Sequence, residues 1–219
     1  MLTRITKKIK RKIKQIFSLN HFEGSENYWK RRYGKGGNSG SGSYGYLAEF
    51  KAETLNNFVK QHQVQTVIEF GCGDGNQLKL ASYPSYFGFD ISDDSVRICK
   101  SLFVNDPTKK FGTLNSYNNE KAELALSLDV IFHLTEDKVY REYMERLFNA
   151  SSKYVIIYSS NGQPKLAKPA AHVRHHKFSK WIEDHRRDWK LLQLIPNKYP
   201  FDGTEKTSFA DFYIYSKVN

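Results

Sequence analysis

"TVIEFGCGDGNQLKLASYPSYFGFDIS", residues 66–92, sets an apolar, β-branched run against tightly spaced turn residues and closes a second apolar run on a lone acid. Gly71, Gly73 and Gly75 free the backbone to turn sharply and let a ligand approach it closely. A strand ending at Phe70, the glycine turn and a helix beginning near Asn76 put that turn at the carboxyl end of a sheet strand. Open α/β sheets bind their ligands at that edge. Asp90 ends the next strand about twenty residues on, where an acid accepts hydrogen bonds from a ribose diol.

Elements alternate outward from this stretch. Apolar runs at 64–70, 85–91, 110–114, 122–129 and 152–160 are expected to be buried strands, with helical patterns at 76–82, 92–103 and 135–150 between most of them. Alternation of this kind gives a parallel sheet with helices on both faces. The connection "NSYNNEK", 115–121, is too short and polar for a helix. Leu47, Phe50, Leu55, Phe58 and Val59 recur at helical intervals and predict an amphipathic helix over 47–62 that leads into the core. Near the end of the chain, "WKLLQLIPNKY" and "TSFADFYIYSK" follow each other without a helix between them and should pair antiparallel. Ser179 is expected to cap a helix starting "KWIEDHR".

The ligand can be narrowed from the charges. Glu69 and Asp74 would repel a pyrophosphate and suit a cation. A ligand with a ribose, a positive charge and no phosphates is S-adenosylmethionine. A nicotinamide dehydrogenase normally spaces its glycines G-x-G-x-x-G, whereas here the turn is G-C-G-D-G with an acid before it and one inside.

With "EFGCGDG" as the cofactor turn, "FGFDIS" as the strand bearing the ribose acid and "LALSLDVIFHL" as a fourth strand with its loop, the chain resembles the Rossmann-like, class I S-adenosylmethionine-dependent methyltransferases over roughly residues 47–216. The resemblance implies a mostly parallel seven-stranded sheet with an antiparallel last strand, fitted by "SFADFYIYS". It also implies that Glu69 and Gly71 line the cofactor's methionine end, that Asp90 holds the ribose hydroxyls, that Gly73, Gly75 and Ile91 belong to the same cofactor site, and that Asp129, also of that site, opens the loop facing the substrate. Leu114 and Asn115 are the nearest candidates for adenine contacts.

Methyl transfer is an in-line displacement in which the protein chiefly positions the acceptor, and a hydroxyl acceptor also needs a base. His133 follows the fourth strand, and "AAHVRHHKF" places His172, His175 and His176 beside Arg174 in the loop after the fifth. His172, next to the small pair Ala170 and Ala171, is the first candidate base. His133 could equally be a packed corner residue, and the 172–177 cluster a solvated basic loop. Arg174, or Arg31 with Arg32 and Lys35, could instead clamp an anionic acceptor. Residues 34–45, "GKGGNSGSGSYG", suit either a linker or a loop folding over a ligand, with Tyr44 a candidate substrate contact. Tyr28, Trp29, Tyr33, Tyr44 and Tyr46 could stack on a sugar or pack the segment onto the sheet. The chain is therefore divided into a basic segment 1–20, a lid segment 21–46 and a methyltransferase domain 47–219. Within the family it is similar to small bacterial enzymes of surface-polysaccharide assembly. That implies O-methylation of a small, anionic or glycan-linked acceptor in the cytoplasm, at or near the inner membrane surface.

Composition sets the alternatives. The chain has 219 residues with 34 Lys and Arg against 23 Asp and Glu, a net +11. Seven of the cations lie in the first twenty residues, which contain no acid, so the remainder carries only a small excess. A nucleic-acid methyltransferase is therefore not indicated, nor is there an N/D-P-P-Y/F segment. A cofactor-binding regulatory or scaffold protein without turnover is the other alternative. In "MLTRITKKIKRKIKQIF", Ile5, Ile9, Ile13 and Ile16 share one helical face among cations, the pattern of a helix on an anionic membrane surface or on a partner. Cys72 and Cys99 form no disulfide framework or zinc set, and no metal site is expected. With no apolar run near membrane-spanning length, a cytosolic protein is expected.

Overall fold

A computed structural model describes residues 22–164, 170–204 and 206–218. The proposed basic helix of residues 1–17 lies outside them.

The sheet is built from β1 (Thr66–Phe70), β2 (Ser85–Asp90), β3 (Lys109–Thr113), β4 (Ala122–Leu128), β5 (Ser151–Ser159), β6 (Trp189–Ile195) and β7 (Asp211–Lys217). Its order is β3-β2-β1-β4-β5-β7-β6. The first five strands run parallel, and β7 is inserted antiparallel between β5 and β6. The mostly parallel seven-stranded sheet expected from the sequence is therefore present, with β7 as its reversed strand.

The central strands are apolar throughout because both sheet faces are covered. Val67, Leu124, Leu126, Ile156 and Phe212 point to one face, under Leu55, Phe58 and Val59 of α2 (Gly45–Gln61) and Val96 and Cys99 of α3 (Asp93–Leu102). Their alternates Ile68, Phe70, Ala125, Val155 and Ile157 pack on the other, beneath Tyr143, Met144 and Leu147 of α4 (Asp137–Asn149) and Ile182 of α5 (Phe178–His185). Among the described residues no helix is long and apolar enough to cross a membrane.

Two local expectations are corrected and one element is new. The helix over 76–82 is only a 3₁₀ turn at Leu78–Leu80. Its neighbours spend their polar groups on α2 and the chain before it: Asn76 donates to the Ser43 carbonyl, Gln77 to that of Ala48, and Asn56 spans the Leu80 carbonyl and the Ser82 N–H. Ser179 lies inside the first turn of α5 and does not cap it; its N–H donates to Asn161 Oδ1 instead. An unanticipated helix, α1 (Ser25–Gly34), precedes the glycine-rich stretch.

Candidate active site

The carboxyl ends of β1 to β4 and the underside of α1 enclose a cavity of about 330 Å³, within the range of small-molecule sites. Its floor is the glycine turn. Gly71 and Gly73 have φ of +90° and +60°, and a Cβ on Gly71 would stand 2.4 Å from Val130 Cγ2. Glycine is required there for both the backbone and the space.

Three acids surround the turn in different states. Asp90 is buried and accepts from the N–H groups of Gly73 (3.0 Å) and Ser92 (2.9 Å). Burial nevertheless raises its pKa. Glu69, one strand over, takes a 2.6 Å hydrogen bond from the Tyr86 hydroxyl. Burial pushes its carboxyl up to about 7, against the pull of that bond and of the Lys51 charge. Asp129, at φ +60°, pairs with Lys51 Nζ at 2.6 Å. Lys51 is 1% exposed, and its ammonium also sits 5.2 Å from the Tyr158 ring centre. An ammonium this deep is held only by such partners.

The roof comes from the N-terminal segment. Trp29 and Tyr33 of α1 line the cavity from above, and Leu114, Asn115, Ile91 and Val130 line it from the sheet edge. The first turn of α1 lacks a cap of its own and is closed by Glu136, which accepts from the Ser25 N–H and hydroxyl, both at 2.8 Å.

On the far wall, the 3₁₀ turn Ile131–His133 after β4 brings His133 into the cavity lining. Its Nδ1 lies 3.1 Å from the His172 carbonyl. Because a carbonyl can only accept, Nδ1 carries the proton, and Nε2, which has no hydrogen bond among the described residues, presents a lone pair. Burial pushes the His133 pKa down to about 4, so the ring is neutral at physiological pH.

Neither a protein-family model nor a curated protein matches the chain. Among solved structures, N-methyltransferase NodS from Bradyrhizobium japonicum WM9, in complex with S-adenosyl-L-homocysteine, is similar at TM-score 0.69 and 11% identity over 90% of this chain and 100% of that one. The fold is that of the Rossmann-like methyltransferases. Magnesium protoporphyrin IX methyltransferase (ChlM) from Synechocystis PCC 6803 with bound S-adenosylhomocysteine shares it at TM-score 0.60 and 15% identity, over 77% of this chain and 83% of that one. The methyltransferase domain of bacterial CtHen1 does so at TM-score 0.60 and 17% identity, over 76% and 96%.

A methyltransferase fold implies S-adenosylmethionine, and the cavity suits it. Gly71 leaves the backbone bare, Asp90 and Glu69 offer acceptors, and Gln77 Oε1 is a buried cavity-lining acceptor with no hydrogen bond among the described residues. A cation with several donors would satisfy it.

The structure thus brings Glu69, Gly71, Gly73, Asp90, Ile91, Asp129 and His133 together at one cavity, with Gly75 in the same turn. Other candidates stand elsewhere. Arg174 pairs with Asp137 (2.9 Å) and Arg31 with Glu23 (2.5 Å), and neither lines the cavity. The His172 ring stacks on Tyr28 with centroids 4.3 Å apart, and His175 Nδ1 is 2.6 Å from Ser160 Oγ. His176 holds the Leu134 carbonyl and stacks on Tyr140. The Tyr44 hydroxyl donates to Asp74, and burial with that bond pushes its pKa up to about 12. Asp74 lines the cavity, but its Oδ2 is taken up by the N-terminal segment, where the sequence suggested a cationic ligand. Lys51 and Gln77 are cavity residues that sequence reasoning missed, while Trp29 and Tyr33, named there as aromatics able to stack on a sugar, do line it.

Proposed function

We infer that the protein is an S-adenosylmethionine-dependent methyltransferase acting on a hydroxyl of a small or glycan-linked acceptor. The observation that carries this reading is the convergence of the bare glycine turn, Glu69, Asp90 and a neutral His133 on one cavity. The bound cofactor supplies an electrophilic methyl group on a sulfonium. Glu69 and Gln77 hold positive charge and donors at one end, Lys51 with its partner Asp129 stands near the cofactor's carboxylate, and Asp90 accepts from the ribose. Residues 22–46 cover the cavity and act as a lid. His133 Nε2 takes the proton from the acceptor hydroxyl, and Trp29 with Tyr33 gives an apolar wall of the kind a sugar ring packs on.

A neutral hydroxyl is favoured over an anionic acceptor because Arg31 and Arg174 already hold carboxylates away from the cavity. Incubation with methyl-labelled cofactor and a panel of sugars, nucleotide sugars, phosphorylated metabolites and RNA tests the reading. Label on a sugar hydroxyl supports it, while label on RNA or on none of them removes the acceptor assignment.

Cofactor affinity should depend on pH through Glu69. A cation favours the carboxylate, so below about pH 7 binding must first displace a proton. Affinity is expected to climb as pH rises from 6 to 8 and then level off. Calorimetry on wild type and Glu69→Gln checks this, and the variant should show a flat, weaker profile.

The seven cations of residues 1–20 serve as a tether to an anionic membrane surface, where glycan-linked acceptors are assembled. Removing these residues is expected to reduce co-sedimentation with anionic vesicles at low salt and to leave transfer to a water-soluble acceptor unchanged. Vesicle binding by the full chain should fade as salt rises.

A further inference from the structure

The methyltransferase reading does not say what Asp74 is for. Its carboxylate is taken up by the segment before the sheet. Asp74 Oδ2 accepts from the Ser39 N–H (2.9 Å) and from the Tyr44 hydroxyl (2.7 Å), while Ser39 Oγ accepts from the Asp74 N–H (3.0 Å). Ser39 Oγ also meets the Tyr33 hydroxyl at 2.9 Å, which ties the end of α1 into the same cluster. Hydrogen bonds to an ionised acceptor are the strong ones, and the reciprocal Ser39–Asp74 pair fixes both backbones.

Beyond this cluster, Asn76 Nδ2 donates to the Ser43 carbonyl at 2.7 Å, so the stretch is held to the turn at two points, of which Asp74 carries the charge. Between α1 and α2 it has left-handed glycines at Gly36 and Gly40, and its regular structure is the short turn Ser41–Ser43. Yet it lies directly on the cofactor turn, where a Cβ on Gly73 would be 2.3 Å from Ser39 Oγ. The N–H of that same Gly73 is the one that Asp90 holds. The clasp is thus one residue away from the acid expected to bind the ribose.

We propose that Asp74 is a positioning residue: with Ser39 and Tyr44 it clasps the roof segment onto the cofactor turn, so that turn and roof form as one unit and cofactor leaves when the clasp opens. The consequence for cofactor release rests on the methyltransferase reading; the clasp itself does not. Trp29 and Tyr33 reach the cavity from the clasped segment, so an open clasp would also displace the acceptor's wall. Glu136 holds the far end of α1 through Ser25, which makes the Asp74 end the one that can swing separately.

The test uses the full chain with two variants, Asp74→Ala and Tyr44→Phe. The second removes one hydroxyl from a ring that is 37% exposed, so it should fold even if the first does not. Hydrogen exchange at residues 34–46 is followed without ligand, and release of S-adenosylhomocysteine is followed by stopped-flow displacement. Expected are faster exchange in both variants and release accelerated about tenfold in Asp74→Ala and severalfold in Tyr44→Phe, with association little changed. The acceptor KM should rise more than kcat falls. Wild-type exchange protection in both variants would overturn the clasp. Faster release of S-adenosylhomocysteine with wild-type exchange at residues 34–46 would make Asp74 a direct cofactor contact and overturn its role. If the wild type binds no S-adenosylhomocysteine, the methyltransferase reading fails, while the exchange measurement still decides the clasp.

Discussion

Replacing Gly71 by valine is expected to abolish measurable binding of S-adenosylmethionine, a loss of more than about a hundredfold, or about 2.8 kcal/mol. Two separate effects combine. At φ +90° a β-branched residue occupies a backbone conformation that costs about 1–3 kcal/mol. Its Cβ would also sit 2.4 Å from Val130 Cγ2, far inside the ordinary carbon contact of about 3.5–4.0 Å. The turn must move, and it carries the Gly71 and Cys72 N–H groups off the Phe89 carbonyl that registers them against β2. Gly71→Ala should be milder, and adding Val130→Ala should recover part of the affinity by removing the overlap but not the strain. Calorimetry with thermal unfolding of all three variants separates the local effect from loss of fold. Wild-type affinity in Gly71→Val would place the cofactor elsewhere.

The sheet was legible in the sequence because its signals are local. Five apolar runs mark the parallel strands, and the helical spacing of Leu47 to Val59 locates α2, observed as Gly45–Gln61. The cofactor turn was legible for the same reason: glycine spacing and a strand-ending acid are read off between two consecutive strands, β1 and β2.

What escaped depends on distant partners. α1 has a crowded aromatic sequence with no apolar stripe, and its first turn is closed by a carboxylate 111 positions away. The helix expected at 76–82 fails because Asn76 and Gln77 bind the chain around α2, which no periodicity records. Lys51 in an amphipathic helix looks like a surface cation, and only the fold reveals Asp129 beside it. The run "AAHVRHHKF" concentrates histidines in sequence, but each ring finds a different partner. Proximity along the chain therefore said little about which one faces the cavity.

His133 is the one that does, and His133→Ala is expected to lower kcat by roughly 10²–10⁴-fold with little change in cofactor affinity. Its Nδ1 proton is fixed on a backbone carbonyl, so the tautomer is set without a second side chain and Nε2 is left as the acceptor. Burial lowers its pKa to about 4, which keeps the base form fully populated from mildly acidic pH upward. The acid limb of kcat due to this group should therefore lie near pH 4, and the rate should be flat with respect to His133 between pH 6 and 8. The same low pKa makes the ring a weak base, so it cannot ionise an alcohol in advance and must take the proton as the methyl bond forms. His172→Ala is expected to cost far less than His133→Ala, because alanine retains the carbonyl that fixes Nδ1 and removes only a ring stacked on His133 with centroids 5.5 Å apart. His175→Ala should do the same, since that ring is tied to Ser160 outside the cavity lining. Turnover measured with the true acceptor decides between proton transfer and mere positioning. A His133→Ala enzyme with near wild-type kcat would mean an acceptor atom that is already deprotonated, and the hydroxyl assignment would fall with it.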